Sequence, residues 1–291
     1  MMRKKPMLAY PVSDKPIDYS KPTFIQPKLD GVRCLIQGQT VTNGAGYPIT
    51  GIGVIAYSRT SKEWKNIDHI LEQLVPFFAK YPNVILDGEL YNHDLKDDFE
   101  KIISLVRKTK PTDEDRLEAS KLTQFHCYDI IDEKLLFDQR INFVNRSLMV
   151  LGDSINIVNT HWIDSEIEAK VRHKTNLNHG YEGSIVRTND LYQCKRSHNL
   201  RKFKDFSDAE ATITGWVEGK GKRKGTIGKF TAIDSDGNEF GMPVMDKFEY
   251  LQENFEEMKT WVGQLATFKY FERTKANSYR HPLFKAIRNY E

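Results

Sequence analysis

The chain has 291 residues, enough for two domains of ordinary size each with its own core, whereas one compact domain of that length would be crowded. Hydrophobic residues make up 39% and charged residues 29%, a globular rather than a disordered balance, and no apolar run is long enough to span a bilayer. The net charge of +3 permits an anionic partner without identifying one, and Cys34, Cys127 and Cys194 lack the spacing of a disulfide framework or a zinc site. The basic N-terminus leads into a short apolar run broken by Pro11, a poor signal peptide, so a cytoplasmic protein with no membrane partner is expected.

In chain order, Pro6, Pro11, Pro16 and Pro22 mark an extended lead-in without helical periodicity. From Thr23 to Ile36 the pattern predicts a strand, a turn or bend at Asp30-Gly31, and a second strand with Val32, Cys34 and Ile36 on one face. Lys28 and Arg33 then flank a common edge. Lys28 is the candidate nucleophile, because a lysine amine attacks an electrophilic phosphorus once burial or nearby cations lower its proton affinity. A tight hairpin turn beside a solvated lysine is the alternative reading of the same residues.

Gly38 to Gly53 reads as hairpins and loops leading to Ser58-Arg59, where Arg59 is either a phosphate contact or a solvated side chain. Ile67, Ile70, Leu71 and Leu74 predict a helix ending near Pro76. Val84 to Leu90 predicts a buried strand carrying Asp87 and Glu89, acids that are costly there unless they meet a metal, a cation or a sugar hydroxyl, while Asp87-Gly88 reads equally as a turn. A helix with Ile102, Ile103 and Val106 follows, Asp97 and Asp98 standing near its start, and 108–121 reads as an exposed connection. Thr123 to Ile131 predicts a strand in which Tyr128 offers a stacking face or fills the core, and His126 is structural. Ile141, Val144 and Leu148 predict another helix.

Glu182-Gly183 opens a further apolar strand, and the alternation from Leu200 to Asp205 puts Lys202 and Lys204 on one strand face, where they repel unless an anion lies between them. From Ala209 the pattern changes to short strands with Ala211, Ile213 and Val217 on one face, then Phe230 and Ala232, then Leu265, Thr267, Lys269 and Phe271, with a turn at Asp236-Gly237. Such a tail suggests a small barrel of the OB-fold kind. Its basic loop, with Lys220, Lys222, Arg223 and Lys224, suits a phosphate backbone, a solvated basic hairpin being the alternative reading.

Taken together, Lys28-x-Asp30-Gly31-x-Arg33, Ser58-Arg59, Asp87-Gly88-Glu89, Tyr128-Asp129, Glu182-Gly183 and Lys202-x-Lys204, in this order, resemble the covalent nucleotidyltransferases, specifically the ATP-dependent DNA ligases. Gly219 to Phe230 resembles the opening of the ligase OB domain, and Arg280-His281-Pro282-Leu283-Phe284 with Arg288 resembles the last motif of small phage-type ligases. The resemblance implies an α+β nucleotidyltransferase (adenylation) domain over 1–205, with antiparallel sheets and flanking helices, and a C-terminal OB-fold β-barrel over 206–291. It also implies ATP, Mg2+ or Mn2+, nicked double-stranded DNA as partner, and a monomer.

The same resemblance assigns roles. Lys28 would carry AMP as a phosphoramidate, Asp30 would support the metal and the final step, and Arg33 and Arg59 would hold the nick phosphate. Glu89 would contact ribose or metal, Tyr128 would stack on adenine, Glu182 would bind the metal, and Lys202 and Lys204 would neutralise the α-phosphate. Arg280 and Arg288 would face the pyrophosphate leaving group, with a hinge at 205–208. Two positions depart from the family pattern. Gln26 stands where many members carry a glutamate that accepts from the adenine amino group, and the chain ends Arg288-Asn289-Tyr290-Glu291 where an Asp-Lys pair often stands. An mRNA-capping guanylyltransferase or RNA ligase would use the same lysine chemistry, and a non-catalytic DNA-binding protein would use only the basic loop.

Overall fold

The computed structural model describes residues 4–42, 48–96, 98–149, 152–274 and 277–288. The chain divides into two compact units, Met1–Phe203 and Lys204–Glu291. The strands of the first unit are β1 (Leu8–Pro11), β2 (Thr23–Lys28), β3 (Val32–Thr42), β4 (Pro48–Tyr57), β5 (Ile85–Tyr91), β6 (Gln124–Ile130), β7 (Ile155–Ile157), β8 (His161–Ile163), β9 (Gly183–Thr188) and β10 (Arg196–Phe203). Its helices are α1 (Asp68–Lys80), α2 (Phe99–Val106), α3 (Asp113–Leu122), α4 (Phe137–Leu148) and α5 (Glu166–Asn178).

These strands make two five-stranded sheets, ordered β1-β10-β9-β2-β8 and β4-β3-β5-β6-β7. The bend at Asp30-Gly31 therefore carries the chain from one sheet to the other and is no hairpin turn, so Lys28 and Arg33 come from different sheets rather than one edge. Gly31 fits this crossing because any Cβ there would stand 2.4 Å from the Leu90 carbonyl oxygen. Helices α1 and α4 cover the second sheet, and Ile36, Leu74, Phe78, Leu86, Phe125 and Phe137 form its core. Each such side chain contributes about 1.5–3 kcal/mol by leaving water.

Several sequence expectations need correction. The proline-marked lead-in forms β1, which pairs in parallel with β10, and Met7 just before it is buried. Helix α1 runs through Pro76 to Lys80. Residues 113–122, expected in an exposed connection, form α3. Its start is fixed by a capping box in which Thr112 Oγ1 accepts from the Asp115 amide and Asp115 Oδ2 accepts from the Thr112 amide. Charge around most of this helix hid it from an apolar-periodicity reading. Asp97 and the segment 43–47 lie outside the described residues.

The second unit contains a sheet ordered β13-β12-β11-β14-β17, from β11 (Ser207–Glu218), β12 (Ile227–Ile233), β13 (Glu239–Pro243), β14 (Leu265–Tyr270) and β17 (Leu283–Ile287), and a two-stranded ribbon of β15 (Glu272–Arg273) and β16 (Tyr279–Arg280). Ile213, Phe230, Met242, Ala266 and Phe268 form its core. Val217, expected on the Ala211 and Ile213 face, is exposed instead, because the β11–β12 register shifts between Ile213 and Gly215 and turns the later residues over. On β14 the inward residues are Ala266 and Phe268, not Leu265, Thr267 and Lys269, and Phe271 follows the strand. Asp236-Gly237 is a turn as read, with Gly237 at φ 84°. Of the segment 205–208 expected to act as a hinge, Asp205 and Phe206 lie in the connection between β10 and β11, and Ser207 and Asp208 open β11.

One buried ion pair ties α4 to the second sheet. Arg140 Nε lies 2.7 Å from Asp129 Oδ1, and Arg140 Nη1 donates to the carbonyls of Leu135 and Asp190 at 2.6 and 3.0 Å. Truncating one partner of such a pair leaves a buried charge and open carbonyls. Arg140→Ala is expected to lower unfolding free energy by about 3–5 kcal/mol, measured by urea denaturation; a loss under about 1 kcal/mol would mean that water reaches the cluster.

Candidate active site

Lys28 ends β2, in register with Gly183 at the start of β9. Gly183 has φ 150°, and a Cβ there would stand 2.3 Å from the Phe203 carbonyl oxygen, so only glycine lets β9 lie this close to β10. The Glu182 amide donates to the Lys28 carbonyl at 3.1 Å, which brings the two side chains together, and Lys28 Nζ donates to Glu182 Oε2. Glu182 is buried and Lys28 is partly exposed, so the amine has an entry path that its carboxylate partner lacks.

Lys28 faces a cavity of about 300 Å³ whose lining includes Gln26, Arg33, Arg59, Glu89, Tyr128, Arg187, Arg196 and Lys202. Arg33, on β3, clamps Asp87 with Nε and Nη2 at 2.6 and 2.5 Å, and the Tyr192 hydroxyl donates to the same carboxylate at 2.7 Å. Burial, the largest single influence, would weaken the hold of Arg33 on its proton, but the charge and hydrogen bonds of Asp87 together with Tyr128 and Tyr192 more than offset it and keep the guanidinium ionised. The two acids of β5 thus do different work. Asp87 is consumed in anchoring Arg33, whereas Glu89 reaches the cavity and accepts from the Tyr128 hydroxyl at 3.3 Å. Burial pushes the Glu89 carboxyl up to about 7, against the lowering pull of Arg33 and Lys28.

Lys202 reaches the cavity from β10, and among the described residues no carboxylate pairs with it. Its proton affinity is lowered, first by burial and then by the neighbouring charges of Lys28 and Arg196. Lys28, Lys202, Arg33, Arg187 and Arg196 line this one space, with exposed Arg59 at the rim, and this gathering of cations leaves it complementary to a polyanion. Gln26 is held by three bonds: its Oε1 accepts from Arg187 Nε at 2.7 Å, while Nε2 donates to the Tyr128 carbonyl and Thr160 Oγ1 at 3.2 and 2.8 Å.

The remaining expected residues lie elsewhere in the fold. Asp30 is half-buried in the sheet-to-sheet bend. Lys204 falls beyond the end of β10, within the second unit, where its Nζ lies 4.4 Å from the Phe271 ring centroid, so it does not share a strand face with Lys202. Arg280 pairs with Glu272 at 2.5 Å and Arg288 pairs with Glu210, all within the second unit. In the basic loop, Lys220, Lys222 and Lys224 are exposed, but Arg223 is half-buried and donates to the Val244 and Asp246 carbonyls at 2.9 and 3.4 Å. Arg223 therefore holds the loop's shape and is not presented like the three lysines.

A family model for the ATP dependent DNA ligase domain matches residues 6–204. The chain belongs to the ATP-dependent DNA ligase domain family. The DNA ligase of Enterobacteria phage T6 is 25% identical over 236 residues, covering 67% of this chain and 46% of that protein. A DNA ligase of African swine fever virus is 30% identical over 214 residues, covering 70% of this chain and 47% of that protein. The chain thus spans about half the length of these curated relatives. A solved structure of a Lig E DNA ligase, described as DNA binding with a minimal scaffold, matches 99% of this chain and 100% of its own with a TM-score of 0.73 at 23% identity. The architecture is accordingly the mixed α+β nucleotidyltransferase-type ligase fold with several sheets.

Within that fold, the sequence reading missed Arg187, Arg196 and the cavity-lining Leu8 and Ala9. Arg187 closes the Glu182–Arg187 stretch and could have been found as a cation at the end of an apolar strand. Leu8 and Ala9 carry no local signal, since their place depends on parallel pairing with a strand almost two hundred residues away.

The raised Glu89 pKa has a pH signature. The fold disfavours its charged form, so this group's contribution to stability is largest below its ordinary value of 4.5 and declines as pH rises toward 7. Glu89→Gln should remove that decline, and carbon-13 spectra of labelled glutamate should show one carboxyl titrating near pH 7 in the parent protein and none there in the variant. A spectrum in which every glutamate titrates below 5.5 would contradict the assignment.

Proposed function

We propose that the chain is an ATP-dependent DNA ligase that seals 3′-hydroxyl/5′-phosphate nicks in duplex DNA through a lysyl-AMP intermediate on Lys28. The observation that carries this reading is the partly exposed Lys28 amine, paired with buried Glu182, facing a cavity walled by Lys202, Arg33 and Arg196. In the first step Lys28 Nζ, after giving up its proton, bonds to the α-phosphorus of ATP as the bond to pyrophosphate breaks. The AMP then passes to the 5′-phosphate of the nick. Finally the 3′-hydroxyl attacks that phosphorus and AMP leaves.

Each step concentrates negative charge on non-bridging oxygens, so positioning and charge neutralisation supply most of the catalysis. Lys202 supports the α-phosphate, and its weakened hold on its own proton leaves it responsive to an incoming anion. Arg33, locked by Asp87, and Arg59 at the rim hold the nick phosphate, and Glu89 contacts the ribose hydroxyls while Tyr128 stacks on adenine. Asp30 supports the metal and the last step. Lys204, Arg280 and Arg288, borne by the second unit, act on the α-phosphate and the pyrophosphate.

A divalent ion fits these donors modestly. Among the described residues no group of three or more metal-binding side chains gathers, so Glu182 and Glu89 would hold Mg2+ or Mn2+ together with nucleotide phosphates and water, as hard cations prefer. Such an ion adds charge neutralisation on the phosphates. The second unit reads as an OB-fold, supported by its five-stranded sheet and by the lysine loop between β11 and β12. A monomer suffices for this scheme.

Two measurements test it. Lys28→Ala should lose self-adenylylation with ATP and sealing of an ordinary nick, yet still seal a nick that already carries AMP; ATP-dependent sealing by the variant would overturn the covalent role. Converting Lys220, Lys222 and Lys224 together to Ala, while keeping Arg223 to preserve the loop, should weaken binding of nicked duplex and flatten log affinity against log salt by up to about three. An unchanged slope would remove the loop from the DNA contact.

A further inference from the structure

We propose that Gln26 and Arg187 are positioning residues for Tyr128, and that the Gln26 amide does not read the nucleobase. This rests on the reading above in which Tyr128 stacks on adenine. It begins with an irregularity in the second sheet. The β5–β6 register passes from Asp87 opposite Asp129 to Gly88 opposite Cys127, so Tyr128 has no partner on β5 and is the extra residue of a bulge. Bulges re-aim side chains but leave their own peptide groups outside the ladder.

Gln26 braces that bulge. Its Nε2 donates to the Tyr128 carbonyl at 3.2 Å and to Thr160 Oγ1 at 2.8 Å. Thr160 gives its own proton to the Val158 carbonyl at 3.1 Å, so it can only accept from Gln26. On the other side of the amide, Arg187 Nε is only a donor and lies 2.7 Å from Oε1. The amide orientation is therefore fixed by its neighbours. Reversing it would face oxygen to a carbonyl and nitrogen to a guanidinium, in a side chain that is 2% exposed. This also explains why an amide stands here rather than a carboxylate, which has no proton to give the Tyr128 carbonyl or Thr160.

Arg187 is fixed in turn. Its Nη1 lies 2.7 Å from Asp129 Oδ2, its guanidinium carbon lies 5.4 Å from the Tyr128 ring centroid, and Asp129 is held from behind by Arg140. Tyr128 is thus restrained at its carbonyl by Gln26, at its hydroxyl by Glu89, and through the next residue by two arginines. Both Nε2 protons and one lone pair of Oε1 are thus committed to the Tyr128 backbone, Thr160 and Arg187, so that Gln26 sets the ring on which the base lies.

The test is single-turnover self-adenylylation of the full chain across ATP and GTP concentrations. Gln26→Met, which keeps length but removes the hydrogen bonds, and Arg187→Met should each raise the half-saturating ATP concentration on the order of tenfold with the saturating rate little changed. Neither should add to the effect of Tyr128→Ala when combined with it, and Gln26→Met should leave the ATP-to-GTP preference unchanged. Full additivity on the Tyr128→Ala background would overturn the positioning role, because an effect on general stability does not depend on that ring. A Gln26→Glu protein that binds ATP more tightly and discriminates more strongly against GTP would show instead that position 26 reads the base. Tyr128→Ala with unaltered ATP dependence would remove the stacking reading itself and the proposal with it, a result distinct from additivity. Should Arg187→Met fail to fold, Gln26→Met, which removes no charge, decides alone.

Discussion

Asp87 and Asp129 stand directly opposite each other on neighbouring strands, both fully buried. Like charges so placed repel, and each would cost several kcal/mol in the interior if left unpaired. The fold meets this constraint with three arginines drawn from three elements: Arg33 from β3 on Asp87, and Arg140 from α4 with Arg187 from β9 on Asp129. Arg187 belongs to the other sheet, so the ion cluster stitches the two sheets together where their strands converge on the cavity. Rigidity at the site follows from that stitching, since no member can move without uncovering a buried charge.

The aromatic wall depends on the same cluster. Tyr128 lies between Asp129 and the Cys127 that resumes the strand register, and its ring is touched by guanidinium groups of both ion pairs, Arg33 at 5.2 Å and Arg187 at 5.4 Å. One electrostatic solution therefore orients a cation that faces the cavity and a ring that lines it. Glu89, two residues beyond Asp87 on β5, keeps a carboxyl whose protonation shifts near neutral pH.

The lysine motif, the β5 acids and the Tyr128 strand were legible in the sequence because each is a local pattern: a polar residue set into an apolar strand stands out. What was not legible is what sets strands side by side. Asp30-Gly31 has the composition of a hairpin turn, yet Gly31 serves a close approach to Leu90, and only the tertiary contact distinguishes the two. Lys202 and Lys204 alternate correctly for a strand, but strand pairing stops at Phe203. Val217 follows the right period and still faces outward, because a bulge earlier in β11 inverts it. Bulges and crossings are set by packing partners distant in sequence, so periodicity cannot report them.

The loop after β11 has a kinetic consequence. Arg223 tethers it to two carbonyls, Glu218 Oε1 accepts from the Gly225 amide at 2.8 Å, and Thr226 Oγ1 donates to the Arg223 carbonyl at 2.7 Å, while Lys220, Lys222 and Lys224 point to solvent. Its ammonium groups are thus mounted on an ordered frame before any encounter. An anionic surface that meets them needs no loop folding, and only side-chain rotamers lose freedom. An anionic partner engaging such a frame would be limited by diffusion and steering rather than by a conformational search, which favours a contact that forms and breaks rapidly along a charged lattice.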